Sequence, residues 1–188
     1  MKYYIWTFSG KTQDSWFLSE PVTQAGKRIN GWDFRRCKRY ELENEKLTVT
    51  IKHEGKHSGM SFGSFGIPFV SMEIGRILLK YEEAGVQLIP VTVEPLGDPM
   101  FILNILTEKM CVDESRSVFT KWSENDSPSP EKVGHYRSFL NLFVDVQKTG
   151  NVNIFRPWGW NGEVVISDAL KSELEMGDIG DTIFICVS

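Results

Sequence analysis

Two overlapping motifs contain residue types that carry out hydrolytic chemistry. Residues 53–57 have the sequence HEGKH, which matches the H-E-x-x-H motif of zinc proteases. In that motif His53 and His57 would hold a metal ion and Glu54 would act as general base. Residues 59–63, GMSFG, match the G-x-S-x-G motif, in which Ser61 would be the nucleophile of an acyl transfer. One interpretation is therefore a small hydrolase that uses zinc or serine chemistry between His53 and Ser61.

The surroundings of both motifs argue against catalysis. Two histidines four residues apart point the same way only on a helix, whereas this pattern follows an alternating strand at 47–51 and contains Gly55. A nucleophile elbow needs a buried strand before the serine and a helix directly after it. The residues before Ser61 are polar, and Gly66 and Pro68 delay the next helix. We therefore predict that the chain has no catalytic residue, no metal and no cofactor.

A basic run at residues 35–39 suggests a second alternative. Arg35, Arg36, Lys38 and Arg39 would suit a nucleic-acid-binding module. Residues 1–60 carry a net charge of +4 and residues 61–188 a net charge of -8, so the whole chain is mildly acidic at -4. This balance makes nucleic acid a poor partner. We expect the run to be a solvated edge strand whose cations prevent edge-to-edge pairing.

The cysteines and the apolar runs indicate the compartment. Cys37, Cys111 and Cys186 are far apart and include no Cys-x-x-Cys spacing, which favours reduced thiols and the cytoplasm. No run approaches the ~18 apolar residues that cross a bilayer, so we expect no contact with a membrane.

The elements that must position these residues are mostly strands. Alternating apolar patterns predict strands, and a period near 3.6 predicts helices at 69–84 and 168–176. Ser71 is placed to cap the first helix, and Ser167 or Asp168 the second. The sequence thus predicts an α+β fold with a mainly antiparallel sheet and few helices. We expect a single domain over 1–188, with a β-rich part at 1–60, a flexible surface loop at 123–134 and no internal repeat.

A predicted hairpin near the end carries aromatic side chains. Trp158 and Trp160 precede an Asn-Gly turn at 161–162 and follow Arg156. Tryptophan and arginine are the residue types that most often anchor protein interfaces. Two interpretations remain open here: a contact loop, or aromatic side chains folded back over the end of a sheet.

From about residue 67 onwards, the order of landmarks resembles a bacterial family, immunity protein family eleven of polymorphic toxin systems. The matching segments are 68–71, 85–91, 101–105, 111–113, 154–156 and 165–171. The resemblance implies a non-enzymatic protein that binds and neutralises a cognate toxin. It marks Asp113, Ser117 and Arg156 as family landmarks, and we expect Arg156 to be a buried bidentate partner of Asp113. The residues expected to contact the partner are Trp158, Trp160, Arg156, Arg35 and Arg36.

Overall fold

The two main β-sheets of this protein pack against the two α-helices found in the described part of the chain. The computed structural model describes residues 1–8, 16–42, 45–55, 57, 59–81, 85–177, 179 and 182–188. The strands are β1 Tyr3–Phe8, β2 Phe17–Leu18, β3 Val22–Thr23, β4 Leu47–His53, β5 Met60–Phe62, β6 Pro68–Ser71, β7 Val86–Glu94, β8 Asp98–Ile105, β9 Glu108–Lys109, β10 Val118–Lys121, β11 Tyr136–Asn141, β12 Ile154–Pro157, β13 Val164–Ser167 and β14 Thr182–Cys186. The helices are α1 Met72–Leu78 and α2 Asp168–Leu174.

The larger sheet has seven strands and the smaller sheet has five. The larger has the order β2-β4-β7-β8-β6-β5, with β3 also paired to β4, and the smaller has the order β14-β1-β13-β12-β9. Strands β10 and β11 form a separate two-stranded ribbon. Among the described strands only β4 with β7 and β9 with β12 pair in parallel. The predicted α+β class with mainly antiparallel sheets is confirmed.

Both helices begin at a serine that also ends the preceding strand. The Ser71 hydroxyl accepts a hydrogen bond from Ile74 N, and the Ser167 hydroxyl accepts one from Leu170 N, as N-caps do. The first helix begins three residues later than predicted, because residues 69–71 pair with β8 as a strand. Residues 79–81 continue α1 as a 3₁₀ turn. The rest of the predicted helix, 82–84, lies outside the described residues.

Three apolar clusters lie on the faces of the two sheets. The central cluster joins the inner faces of both sheets to α1 and α2, through side chains such as Ile74, Leu78, Leu170 and Leu174. A second cluster covers the outer face of the seven-stranded sheet, where residues from 16–42 pack on it. The third covers the outer face of the five-stranded sheet and includes residues of segment 111–160.

Each of the two main sheets contains a unit of four strands and one helix, and the two units have the same pairing order. In the first unit, β5 pairs with β6, β6 with β8, β8 with β7, and α1 follows β6. In the second unit, β12 pairs with β13, β13 with β1, β1 with β14, and α2 follows β13. The units share this pairing order and a serine cap rather than residues at a fixed spacing, so the expectation of no repeat period in the sequence stays a prediction. The second unit also takes its third strand, β1, from the opposite end of the chain.

None of the helices in the described part of the chain has the length and apolar character to cross a membrane. Segment 123–134 forms turns and a 3₁₀ turn at Pro130–Lys132. Asp126 accepts hydrogen bonds from Ser123 and Arg137 there. The expected flexibility of segment 123–134 and the single-domain assignment stay predictions.

Candidate partner-binding surface

The turn between β12 and β13 is held from inside by a buried arginine. Arg156 lies in β12 and is 1% exposed. Its Nη1 donates to the carbonyl oxygen of Asn161 at 2.9 Å and to that of Glu163 at 3.3 Å. Burial lowers the pKa of Arg156, and the neighbouring Arg35 lowers it further. The side chain therefore fixes the two ends of the turn to each other.

A second arginine reaches the same turn from the N-terminal part of the chain. Arg35 ends a 3₁₀ helix, Gly31–Arg35, whose first turn is capped by Asn30 Oδ1 accepting from Trp32 N at 3.1 Å. Arg35 Nε donates to Asn161 O at 3.0 Å. Arg35 Nη1 donates to Phe65 O at 3.1 Å. Two regions singled out separately in the sequence, the basic run and the tryptophan hairpin, thus meet at one carbonyl oxygen.

The basic run is not the edge strand that we expected. Gln87 and Asn104, which face each other on β7 and β8, hold its continuation against the sheet. Gln87 bonds both backbone groups of Tyr40, and Asn104 Nδ2 donates to Lys38 O at 2.9 Å. The amide groups of these side chains make the backbone hydrogen bonds that a neighbouring strand would make with an extended segment. Tertiary contacts therefore decide the local conformation here.

Trp32, Arg35 and Phe65 form an exposed surface that we name the aromatic–arginine patch. The Arg35 guanidinium carbon lies 4.9 Å from the centre of the Trp32 ring, a cation–π contact. The centres of the Trp32 and Phe65 rings are 5.9 Å apart. Trp32 is 46% exposed and Phe65 is 47% exposed. Large aromatic side chains are thus held open to solvent by an arginine whose own position is fixed.

The backbone of Phe65 is in the left-handed region, with φ 60° and ψ 21°. A bulky residue with positive φ is a genuine outlier, and such residues concentrate at functional sites. The next residue, Gly66, also has positive φ, so the loop turns sharply at this point. Sequence patterns did not point to Trp32 and Phe65. The basic run was singled out by its charge alone, and neither exposure nor φ can be read from the sequence.

The two tryptophans of the hairpin differ in their environments. Trp158 is 38% exposed, and its ring meets His135 edge-on at 4.8 Å. Trp160 is half-buried and packs on Phe139 at 5.4 Å, against the third apolar cluster. The contact-loop interpretation therefore describes Trp158, which faces solvent. The interpretation of an aromatic side chain folded over the sheet end describes Trp160.

Two expectations about Arg156 were wrong. Because it is buried, it cannot touch a partner in this conformation and acts on the surface through the turn. It also does not pair with Asp113, which accepts hydrogen bonds from the side chain and backbone of Ser115 at 2.6 and 3.1 Å. Those bonds lower the pKa of Asp113. Arg156, which lies in an apolar run, therefore donates hydrogen bonds to backbone carbonyls and not to a carboxylate.

The remaining predicted residues have local roles. Ser117 bonds both backbone groups of Phe143, donating to its carbonyl at 3.3 Å and accepting from its N–H at 2.9 Å. It thereby ties segment 113–117 to the strand-like segment that follows β11. Arg36 is exposed, and its Nη1 lies 3.6 Å from Asp33 Oδ1, a contact that leaves the guanidinium open to solvent.

The two hydrolytic motifs do not have the local geometry that their mechanisms require. His53 is the last residue of β4, so the first motif begins in a strand instead of a helix. His57 is exposed and meets the Trp16 ring edge-on at 4.6 Å. Ser61 is the middle residue of β5, is 1% exposed, and accepts a hydrogen bond from Trp16 Nε1 at 2.5 Å. In the described ranges no group of three histidine, cysteine or carboxylate residues could hold a metal ion.

Neither the known protein-family models nor the curated proteins include one that matches this chain.

Proposed function

We propose that this protein is a cytoplasmic immunity protein, which binds a cognate bacterial toxin and neutralises it without catalysis. The observation that carries the proposal is the aromatic–arginine patch, whose Arg35 bonds to the turn that also carries the exposed Trp158. Tryptophan and arginine dominate the binding energy of protein interfaces. The resemblance of residues 67–188 to an immunity-protein family supplies the kind of partner.

The construction of the patch favours tight binding. Arg35 is fixed by bonds from Nε and Nη1 to two carbonyl oxygens, and it in turn lies over Trp32. Ordering a flexible side chain on binding costs about 0.5–1.5 kcal/mol. Because these side chains are already ordered in the free protein, that cost is reduced.

Charge near the patch indicates which surface of the toxin it would meet. Arg36, Lys38 and Arg39 follow the patch in the sequence and are exposed. Complementary charge accelerates association and orients the two proteins. We therefore propose that the toxin presents an acidic, partly apolar surface here, and that association slows as salt is added.

The proposal predicts that a toxic domain is encoded beside this gene, and co-expression with that domain tests it. We expect cells to survive only when this chain is present, and the two proteins to purify together. Failure to protect the cells, or protection without a complex, would contradict it.

Variants of the patch test the surface itself. Trp32→Ala should weaken toxin binding about 30-fold or more, which corresponds to a hot spot of at least ~2 kcal/mol. Trp122→Ala is the matched control, because Arg137 covers the Trp122 ring at 4.7 Å much as Arg35 covers Trp32. An equal loss of affinity in both variants would show that the patch is not the interface.

Exposed aromatic rings beside basic residues also suit single-stranded nucleic acid, whose bases stack on such rings. Arg35 already covers one face of Trp32, which favours a protein partner. A gel-shift assay with single-stranded and duplex oligonucleotides decides between them. Micromolar binding to an oligonucleotide that Trp32→Ala abolishes, without any toxin complex, would replace the immunity function with nucleic-acid binding.

A further inference from the structure

The hairpin turn concentrates polar atoms that lack partners. Three buried side-chain atoms between 156 and 161 make no hydrogen bond in the described part of the chain: Arg156 Nε, Trp160 Nε1 and Asn161 Oδ1. Only two other described side chains, Trp6 and Asn104, carry such an atom. Buried polar groups are almost always paired, and each exception calls for a physical reason.

The unpaired atom of Arg156 lies on the edge of the guanidinium that best receives anions. Both of its hydrogen bonds use Nη1. On the opposite edge, formed by Nε and Nη2, the buried Nε makes no hydrogen bond to the described residues. A guanidinium presents two parallel N–H groups along such an edge, which match two oxygens of a carboxylate or a phosphate. This side chain therefore keeps the Nε–H donor of that edge unused although it is 1% exposed.

The charges around the turn do not balance. Arg35 and Arg156 donate to the same oxygen of Asn161, so two guanidinium groups are neighbours. The carboxylate that interacts with both is Glu163, and burial raises its pKa against the opposing effect of the two arginines. One partly buried carboxylate against two arginines leaves positive charge in a site that is withdrawn from water. Such charge is costly unless it is paired.

We propose that Arg35, Arg156 and the turn at 158–162 form a binding site for an oxyanion of the carboxylate or phosphate class. Arg156 Nε and Trp160 Nε1 donate to the anion, and Arg35 adds the second positive charge. Rotating the side-chain amide of Asn161 by half a turn places its NH₂ group where Oδ1 lies, which supplies a further donor. The anion enters at Gly162, which is exposed. This site concerns a ligand that the protein takes by itself, and it stands or falls separately from toxin binding.

Phosphate titration of the isolated protein tests the site. In two-dimensional ¹H–¹⁵N spectra we expect saturable shifts of the Trp160 indole N–H and the Arg156 Nε–H signals. The Trp160 signal is assigned by its loss in Trp160→Phe. At five times the dissociation constant, phosphate should raise Tm by about 2–4 °C over sodium chloride of equal ionic strength.

Two variants of equal charge locate the effect. Arg35→Gln should weaken phosphate binding at least tenfold, whereas Arg36→Gln should leave it within twofold, because Arg36 points to Asp33 and not to the turn. Arg156→Lys keeps the charge but loses the bidentate edge, and it should also bind phosphate weakly. Equal responses in Arg35→Gln and Arg36→Gln, or no shift of the two N–H signals in the unmodified protein, would overturn the proposal.

A parallel titration with acetate separates the two sources of such an anion. Shifts with acetate as well as phosphate identify a site that also accepts small carboxylates. Shifts with phosphate alone identify a site for a free or nucleotide-linked phosphate. Because Arg35 also belongs to the aromatic–arginine patch, the two proposals are separated by their readouts: the phosphate titration uses the isolated protein without toxin, and survival of co-expressing cells reports on toxin binding without added phosphate.

Discussion

Replacing Phe65 by glycine should show that the protein accepts backbone strain in order to display this ring. Phe65 has φ 60° and is 47% exposed, so its side chain is only half removed from water. Glycine adopts positive φ without a steric penalty. Phe17 provides the control, because it is 39% exposed and lies in β2, where the backbone is extended.

The expected free energies follow from three contributions. Half-burying a phenylalanine side chain contributes about 1 kcal/mol, which both variants lose. A glycine adds about 0.5–1 kcal/mol of backbone entropy to the unfolded chain, which destabilises both. Relief of the left-handed conformation returns about 1–2 kcal/mol, and only in Phe65→Gly. We therefore expect Phe17→Gly to lose about 2 kcal/mol of unfolding free energy and Phe65→Gly about 0.5 kcal/mol.

Urea denaturation followed by far-ultraviolet circular dichroism measures both values, and the m-value shows whether unfolding stays two-state. The difference between the two variants is more reliable than either value, since the contributions from burial and chain entropy are similar in both. Equal destabilisation of Phe65→Gly and Phe17→Gly would refute the claim that Phe65 is strained.

Three further predictions concern thiols, pH and packing. Burial raises the pKa of the Cys111 thiol to about 12, so alkylation at pH 8 followed by mass spectrometry should label the exposed Cys186 first and Cys111 only after unfolding. Hydrogen bonds, the largest of them from Lys80, lower the pKa of Glu173, so this carboxylate stabilises the fold above its ordinary pKa and loses the effect as pH falls through the lowered value. Glu173→Gln should therefore reduce stability by about 0.5 kcal/mol at pH 7 and by progressively less as the pH falls below the ordinary pKa of a glutamate, and a constant difference would contradict this. Gly75→Ala should reduce Tm by about 2–6 °C despite the better helix former, because its Cβ would lie 2.5 Å from a phenylalanine ring of β8; a rise in Tm would show that the ring moves aside.

Much of the fold could be predicted because its local signals agree with its tertiary contacts. The helices were found from apolar side chains at helical spacing and from Ser71 and Ser167, whose hydroxyl groups do cap them. Strand alternation identified which residues are buried, but it carries no information about partners. The pairing of β1 with β13 and β14 joins opposite ends of the chain, and no local pattern indicates it.

The candidate site was less predictable, because it depends on contacts between distant segments. The sequence singled out Arg35 and the tryptophan hairpin, but it could not show that both arginines bond to the carbonyl of Asn161. It paired Arg156 with Asp113, since charge attraction was the only available guide. In the structure, Arg156 Nη1 donates to backbone carbonyls, and Asp113 accepts from a hydroxyl and an amide group.

The borrowed strand of the second unit has a consequence for how the chain can be rearranged. In the first unit β7 and β8 are joined by a tight turn, whereas their counterparts β14 and β1 meet only through space. Val187 N donates to Tyr3 O at 2.9 Å, and Tyr3 N donates to Ser188 Oγ at 3.0 Å across 185 residues of chain. A circular permutant that links residue 188 to residue 1 and opens within 123–134 would turn β14 and β1 into a hairpin. Because short loops close faster than long ones, the permuted chain should fold more quickly than the original while keeping every strand pairing.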